Sequence, residues 1–77
     1  MLQTEKIILK EKYNLLKKYA KIYQKSGLRR GQSLFNALAK IDVSLAKKLC
    51  GSEIDCFYND ELCGDFIIEI LNEWRKI

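Results

Sequence analysis

Hydrophobic period is the constraint that matters most in this chain, and it is strongest over residues 4–26. At 100° per residue, Ile8, Leu9, Tyr13, Leu15, Leu16, Tyr19, Ala20, Ile22 and Tyr23 fall on one half of a helical cylinder. Lys6, Lys10, Asn14, Lys17, Lys18, Lys21, Gln24 and Lys25 fall on the other half, with Glu11 the single acid among them. Ile7, Lys12 and Glu5 lie off this pattern, in the first turns. A strand cannot sort residues this way, because its side chains alternate with a period of two. The segment therefore reads as one long amphipathic helix. Thr4 is the expected N-cap, and Ser26-Gly27 the stop, with glycine free to take the left-handed conformation past the last turn.

The rest of the chain continues in shorter helical segments. Residues 32–41 bring Leu34, Ala37, Leu38 and Ile41 to one side, with Phe35 at its edge. Asp42 is placed to cap a third helix over 43–50, whose inner side is Leu45, Ala46 and Leu49 and whose end is Gly51. GSEIDCFYND, 51–60, has turn formers and no sustained period, so it reads as a loop pinned by Ile54, Phe57 and Tyr58. A last helix over 60–76, capped by Asn59 or Asp60, carries the stripe Leu62, Phe66, Ile67, Ile70, Leu71, Trp74 and Ile77. Beside that stripe Glu61, Asp65, Glu69 and Glu73 recur every fourth residue. The expected fold is all-α: one small four-helix domain over 1–77, with a long basic first helix and a compact three-helix part over 32–76. There is no proline to break helices.

A chain of 77 residues buries only about 60% of the surface it exposes when unfolded, so its core is thin. Pairing with a partner or with a second copy is one way to supplement it. Charge is divided unevenly. Residues 1–31 hold nine basic side chains against two acids, and residues 32–77 hold five against eight, within a net charge of +4. No run of about 18 apolar residues is present to span a membrane. The start of the chain lacks the apolar core of a signal peptide. The expectation is a cytoplasmic protein with no membrane role. Three cysteines, Cys50, Cys56 and Cys63, fit free thiols in a reducing compartment, acting as small buried hydrophobes.

Catalytic chemistry finds little footing. Histidine, the commonest general base, is absent. So are the nucleophile elbow, the phosphate-binding loop and the zinc-protease helix motif. Cys50, Cys56 and Cys63 lack the close pair that zinc sites use, and 51–60 lacks the alternating oxygens of a calcium loop. No catalytic residue, metal or cofactor is expected. Tyr13, Tyr19, Tyr23 and Trp74 could stack on bases, but they lie along apolar stripes, where core packing is their expected role.

The segment RRGQSLFNALAKIDVSLAKKLCGSEIDCFYND, 29–60, resembles a family of small phage- and prophage-encoded proteins with no assigned activity. Their pattern runs R-x-G-Q-x-[LMF]-x-N-A-L, then a [IV]-[DR] corner, then G-[ST]-x-x-D-P-F-Y-x-D, followed by a helix bearing Trp, here Trp74. This chain has Cys56 where the pattern has proline, and residues 1–28 lie outside it. The resemblance implies a phage or mobile-element origin. Phage genomes carry many small proteins that block host or defence machinery by binding it, anti-CRISPR proteins among them.

Two surfaces are expected to meet a partner. One is the basic face of Lys6, Lys10, Lys17, Lys18, Lys21 and Lys25, with Arg29 and Arg30. The other is the acidic loop and ladder of Glu53, Asp55, Asp60, Glu61, Asp65 and Glu69, which could dock on a basic protein or mimic phosphates. A protein partner, or its complex with nucleic acid, is expected first. Direct nucleic-acid binding is the alternative, through the basic helix or through a helix-turn-helix at 32–50. Ser44, Lys47 and Lys48 would then face outward, but that helix offers no Arg, Asn or Gln for bidentate base reading. The corner at Asp42 is expected to serve packing. Lysines on the first helix pairing with acids on the last would be the internal use of the same charges.

Overall fold

The computed structural model describes residues 2–76, with side chains described from Ile8 onward. Four α-helices follow one another: α1 Leu2–Lys25, α2 Arg30–Ile41, α3 Val43–Leu49 and α4 Cys63–Arg75. A 3-10 turn, Asp60–Leu62, leads into α4, so the last α-helix begins three residues later than the expected start at 60. The fold is all-α, as the periodicity predicts. At 1.5 Å per residue α1 is about 36 Å long. It thereby sets the long axis of a molecule measuring 39 × 26 × 19 Å.

The boundaries follow from which backbone groups find partners. α1 begins at Leu2, two residues before Thr4, so the helix starts earlier than expected and Thr4 lies within it. It ends as the glycine predicts. Gly27 has φ 105°, the Gly27 N–H bonds Gln24 O at 3.0 Å, and the Leu28 N–H reaches back to Tyr23 O at 3.2 Å. Those two bonds are the Schellman pattern, which satisfies carbonyls the last turn leaves open. α2 starts at Arg30, two residues earlier than expected, and Arg29 at its N-cap supplies no side-chain cap. Asp42 caps α3, accepting from the Leu45 N–H at 3.1 Å, in an extended backbone with φ −144°. The corner therefore does not use the left-handed conformation that glycine takes in such turns. Gly51 closes α3 with φ 77°.

α1 packs chiefly along α2, and α4 closes over both. The core is Leu16 from α1; Leu34, Ala37 and Leu38 from α2; Leu45, Ala46 and Leu49 from α3; and Cys63, Phe66, Ile70 and Trp74 from α4, with Cys56 from the loop. Ser33 is the buried polar residue, and its hydroxyl donates to Leu28 O at 3.3 Å. Burying a hydroxyl without such a bond would cost about 1–3 kcal/mol. Ile77 of the expected stripe lies outside the described residues.

Three expectations about the core need correction. The apolar half of α1 is wider than the body that covers it: Ile8, Leu15 and Ile22 remain 49, 39 and 46% exposed. Tyr58 does not pin the loop but stands 84% exposed, while Cys56, wholly buried, anchors it instead. Cys50 is exposed, so only Cys56 and Cys63 behave as small core hydrophobes.

Candidate functional site

The loop between α3 and α4 is tied down at each end. Asp55 accepts from the Gly51 N–H at 2.7 Å and from the Phe57 N–H at 2.9 Å, folding the loop on itself. Ser52 bonds Leu49 O at 2.7 Å, and the Asn59 N–H bonds Cys56 O at 3.2 Å. The Asn59 side chain accepts from the Glu61 N–H and starts the 3-10 turn. Asp60 then reaches across to α2. Its Oδ1 accepts from the Gly31 N–H at 2.9 Å and meets the Arg29 guanidinium at 3.3 Å. Asp60 thus supplies the cap that Arg29 lacks, from a position 31 residues away in the chain. Arg29 also donates to the Phe57 carbonyl.

Gly31 is required by this clasp. A Cβ there would collide with the Cys56 carbonyl and crowd the Asp60 carboxylate. The Cys56 thiol donates to Gly31 O at 3.3 Å and lies beside Cys63. Burial, then the neighbouring Cys63, pushes the Cys56 thiol up to about 12. It stays protonated and unreactive at neutral pH. The Phe57 ring packs edge-on to Phe35 and to Tyr58, with centroids 5.7 and 4.8 Å apart. Arg29, Gly31, Asp55 and Asp60 therefore act on one another or on the loop backbone.

Asp42 joins the helical corner to the end of the molecule. While Oδ1 caps α3, Oδ2 accepts from the Trp74 indole N–H at 2.9 Å. Lys48 of α3 meets Glu73 of α4 at 3.0 Å, and Lys76 meets the same carboxylate at 2.9 Å. These two contacts hold Glu73 below the usual carboxylate range. Asp42, Ser44, Leu45, Lys48, Glu73 and Trp74 line a shallow groove of about 230 Å³. Ligand pockets are larger, about 300–1,000 Å³. In the groove Lys48 pairs with Glu73, and Asp42 accepts from the Leu45 and Trp74 N–H groups. At the corner, Asp42 thus ties α3 to α4. Ser44 and Lys47 stay exposed on a seven-residue helix.

The expected basic face is gathered on one element. Lys10, Lys17, Lys18, Lys21 and Lys25 are exposed along α1, and Arg30 is exposed at the start of α2. Lys6 lies outside the described side chains. Among the described residues, no lysine of α1 has a carboxylate partner. Among the described residues, the pairing of α1 lysines with α4 acids, the alternative internal use of these charges, does not form. The acid of α4 that does pair, Glu73, takes its cations from Lys48 and Lys76. On α1 the ammonium groups of Lys17 and Lys12 lie over the Tyr13 and Trp74 rings, at 4.7 and 5.4 Å from the centroids. Such contacts leave the charge uncancelled.

The acids of the expected second surface differ in how far they are engaged. Asp55 and Asp60 are engaged in the clasp, Glu69 is half-buried, and Glu53, Glu61 and Asp65 are exposed. Among the described residues, no group of three or more metal-ligating side chains comes together. No described helix is long and apolar enough to cross a membrane.

Sequence reasoning placed Ile8, Leu15 and Ile22 in the core and so missed them as surface. A signal was present: Ile8-Leu9, Leu15-Leu16 and Ile22-Tyr23 are apolar pairs repeating every seven residues. Two residues side by side in a helix point 100° apart, so a small body can cover only one of each pair. No family model matches this chain, and neither the curated proteins nor the solved structures contain a match.

Proposed function

We propose that the chain is a non-enzymatic binding protein of phage or mobile-element type. It acts by stoichiometric occupation of a macromolecular partner, as an inhibitor of host or defence machinery does, anti-CRISPR proteins among them. The contact surface is the lysine face of α1, and the partner is an acidic protein or a nucleoprotein complex. One observation carries this reading: five exposed lysines lie along a single helix, and no described carboxylate neutralises them. Like charges held in a row raise one another's energy, and a polyanionic partner relieves that while speeding encounter. The phage origin rests on the pattern at 29–60 alone.

Affinity capture with the tagged chain, with and without nuclease, tests the reading. Reversing Lys17, Lys21 and Lys25 to glutamate is expected to abolish capture while circular dichroism stays unchanged. Capture undiminished in the triple variant contradicts it.

The same lysines favour a second reading, direct binding of nucleic acid. Each phosphate neutralised releases counterions, so affinity would fall steeply with salt. A gel-shift titration at low salt with duplex DNA, single strands and RNA decides it. Retardation that disappears in the triple variant supports this reading, and no retardation of any of the three ends it.

A further inference from the structure

α1 carries two apolar tracks of the same period. Leu9, Leu16 and Tyr23 form the inner track, packed on or within the core, with Leu16 wholly buried. Ile8, Leu15 and Ile22 form the outer track, 39–49% exposed. A seven-residue step falls about 20° short of two full turns, so each track stays in line along the helix. Single exposed aliphatics are ordinary, but three in register on one helix make a stripe that a partner can cover.

The border of the outer track has a symmetry. Leu15 is its midpoint, with Ile8 and Ile22 seven residues to either side. Glu11 lies four residues before Leu15 and Lys18 three after it, both exposed on the border toward the lysine face, and neither has an ion-pair partner among the described residues. A two-fold axis through Leu15, perpendicular to α1, lays Ile8 over the Ile22 of a second copy and Leu15 over its own equivalent. It also brings Glu11 within one residue step, about 1.5 Å of rise, of the second copy's Lys18. That ion pair forms twice. A parallel two-fold instead carries Glu11 and Lys18 of the second copy to the opposite flank of the seam, and this ion pair does not form.

We infer that this stripe is an antiparallel self-association surface, its occupant a second copy of the same chain. The inference goes beyond the proposed function, because the stripe and the Lys10–Lys17–Lys21 face occupy different sides of α1. A two-fold perpendicular to both helices carries the two lysine faces to the same side of the pair, doubling the basic surface. Three partly covered aliphatics a side fall short of the ~1,200 Å² that stable complexes bury. The dimer is therefore weak and concentration-dependent.

Sedimentation equilibrium on the full chain, under reducing conditions so that exposed Cys50 forms no cross-link, tests it. The weight-average mass is expected to rise with concentration from the 9.0 kDa of one chain toward twice that value. Leu15→Glu, which sets two carboxylates on the two-fold, is expected to hold the chain at monomer mass with its helicity unchanged. Glu11→Lys and Lys18→Glu are each expected to weaken association by bringing like charges together, and the double variant to restore it. Monomer mass at every concentration overturns the inference. So does a mass increase that survives Leu15→Glu, or a double variant no stronger than the singles. The Lys17, Lys21 and Lys25 reversal is expected to leave self-association in place, which separates this result from failure of the proposed function.

Discussion

Two buried thiols and one exposed thiol give the most accessible test at the scale of single residues. Cys56 and Cys63 are closed off from solvent, and the Cys56 pKa of about 12 leaves almost no thiolate at neutral pH, whereas Cys50 is exposed. A thiol-reactive dye at pH 7.5 is expected to label one cysteine per native chain, identified as Cys50 by peptide mapping, and all three in denaturant. Because the Cys56 pKa is raised on folding, its neutral form favours the native state below the ordinary thiol pKa, and that advantage is lost as pH climbs toward 12. Gly31 and Asp60 are the other residues on which much depends. Gly31→Ala forces a Cβ against the Cys56 carbonyl and is expected to cost about 3 kcal/mol. Asp60→Ala uncaps α2 and frees Arg29, and is expected to cost about 1–2 kcal/mol. Thermal melts check both: in a domain of this size each kcal/mol lowers Tm by roughly 4–8 °C. Equal melting of Gly31→Ala and wild type would mean the loop does not close on α2. None of this clasp was visible in the sequence. Glycine at 31 reads as a linker residue, and Asp60 as a cap for its own helix. Pairing them requires knowing that the loop folds back across 29 residues of chain.

The helices themselves were largely legible, for local reasons. Their existence and order follow from period, and Gly27, Asp42 and Gly51 end or begin them locally, whereas Asn59 caps only the 3-10 turn ahead of α4. The start of α2 slipped because its deciding partner, Asp60, is remote in the chain. The inner and outer tracks of α1 could not be ranked from sequence, because both are apolar and only the width of the covering body decides between them. The contact between α3 and α4 was also hidden, since Lys48 and Glu73 are 25 residues apart. It carries a pH dependence whose sign is fixed. Glu73 is held below its ordinary pKa, so its ionised form favours the native state above the carboxylate range, and the contribution fades as pH falls through the lowered value. Glu73→Gln is expected to melt below wild type at pH 7, with the two melting curves converging as the solution is acidified. Curves that stay apart in acid would mean that packing, rather than the charge on Glu73, sets the difference.

Across the whole molecule, the opposed charges of the two halves meet in one ion pair among the described residues, Arg29 with Asp60, and otherwise stay apart. The acids of the second half are spent partly on the loop, through Asp55 and Asp60, and partly on the α3–α4 contact, through Glu73. Among the described residues, no lysine of the first half meets a carboxylate, and the ring contacts of Lys12 and Lys17 leave their charge in place. Under the proposed function this asymmetry makes α1 the contact surface, with Glu53, Glu61 and Asp65 as the fair comparison. The most direct measurement is affinity capture run side by side on two variants, one with Lys17, Lys21 and Lys25 reversed to glutamate and one with Glu53, Glu61 and Asp65 reversed to lysine. Capture lost in the first and kept in the second is the predicted result; capture kept in the first and lost in the second contradicts it.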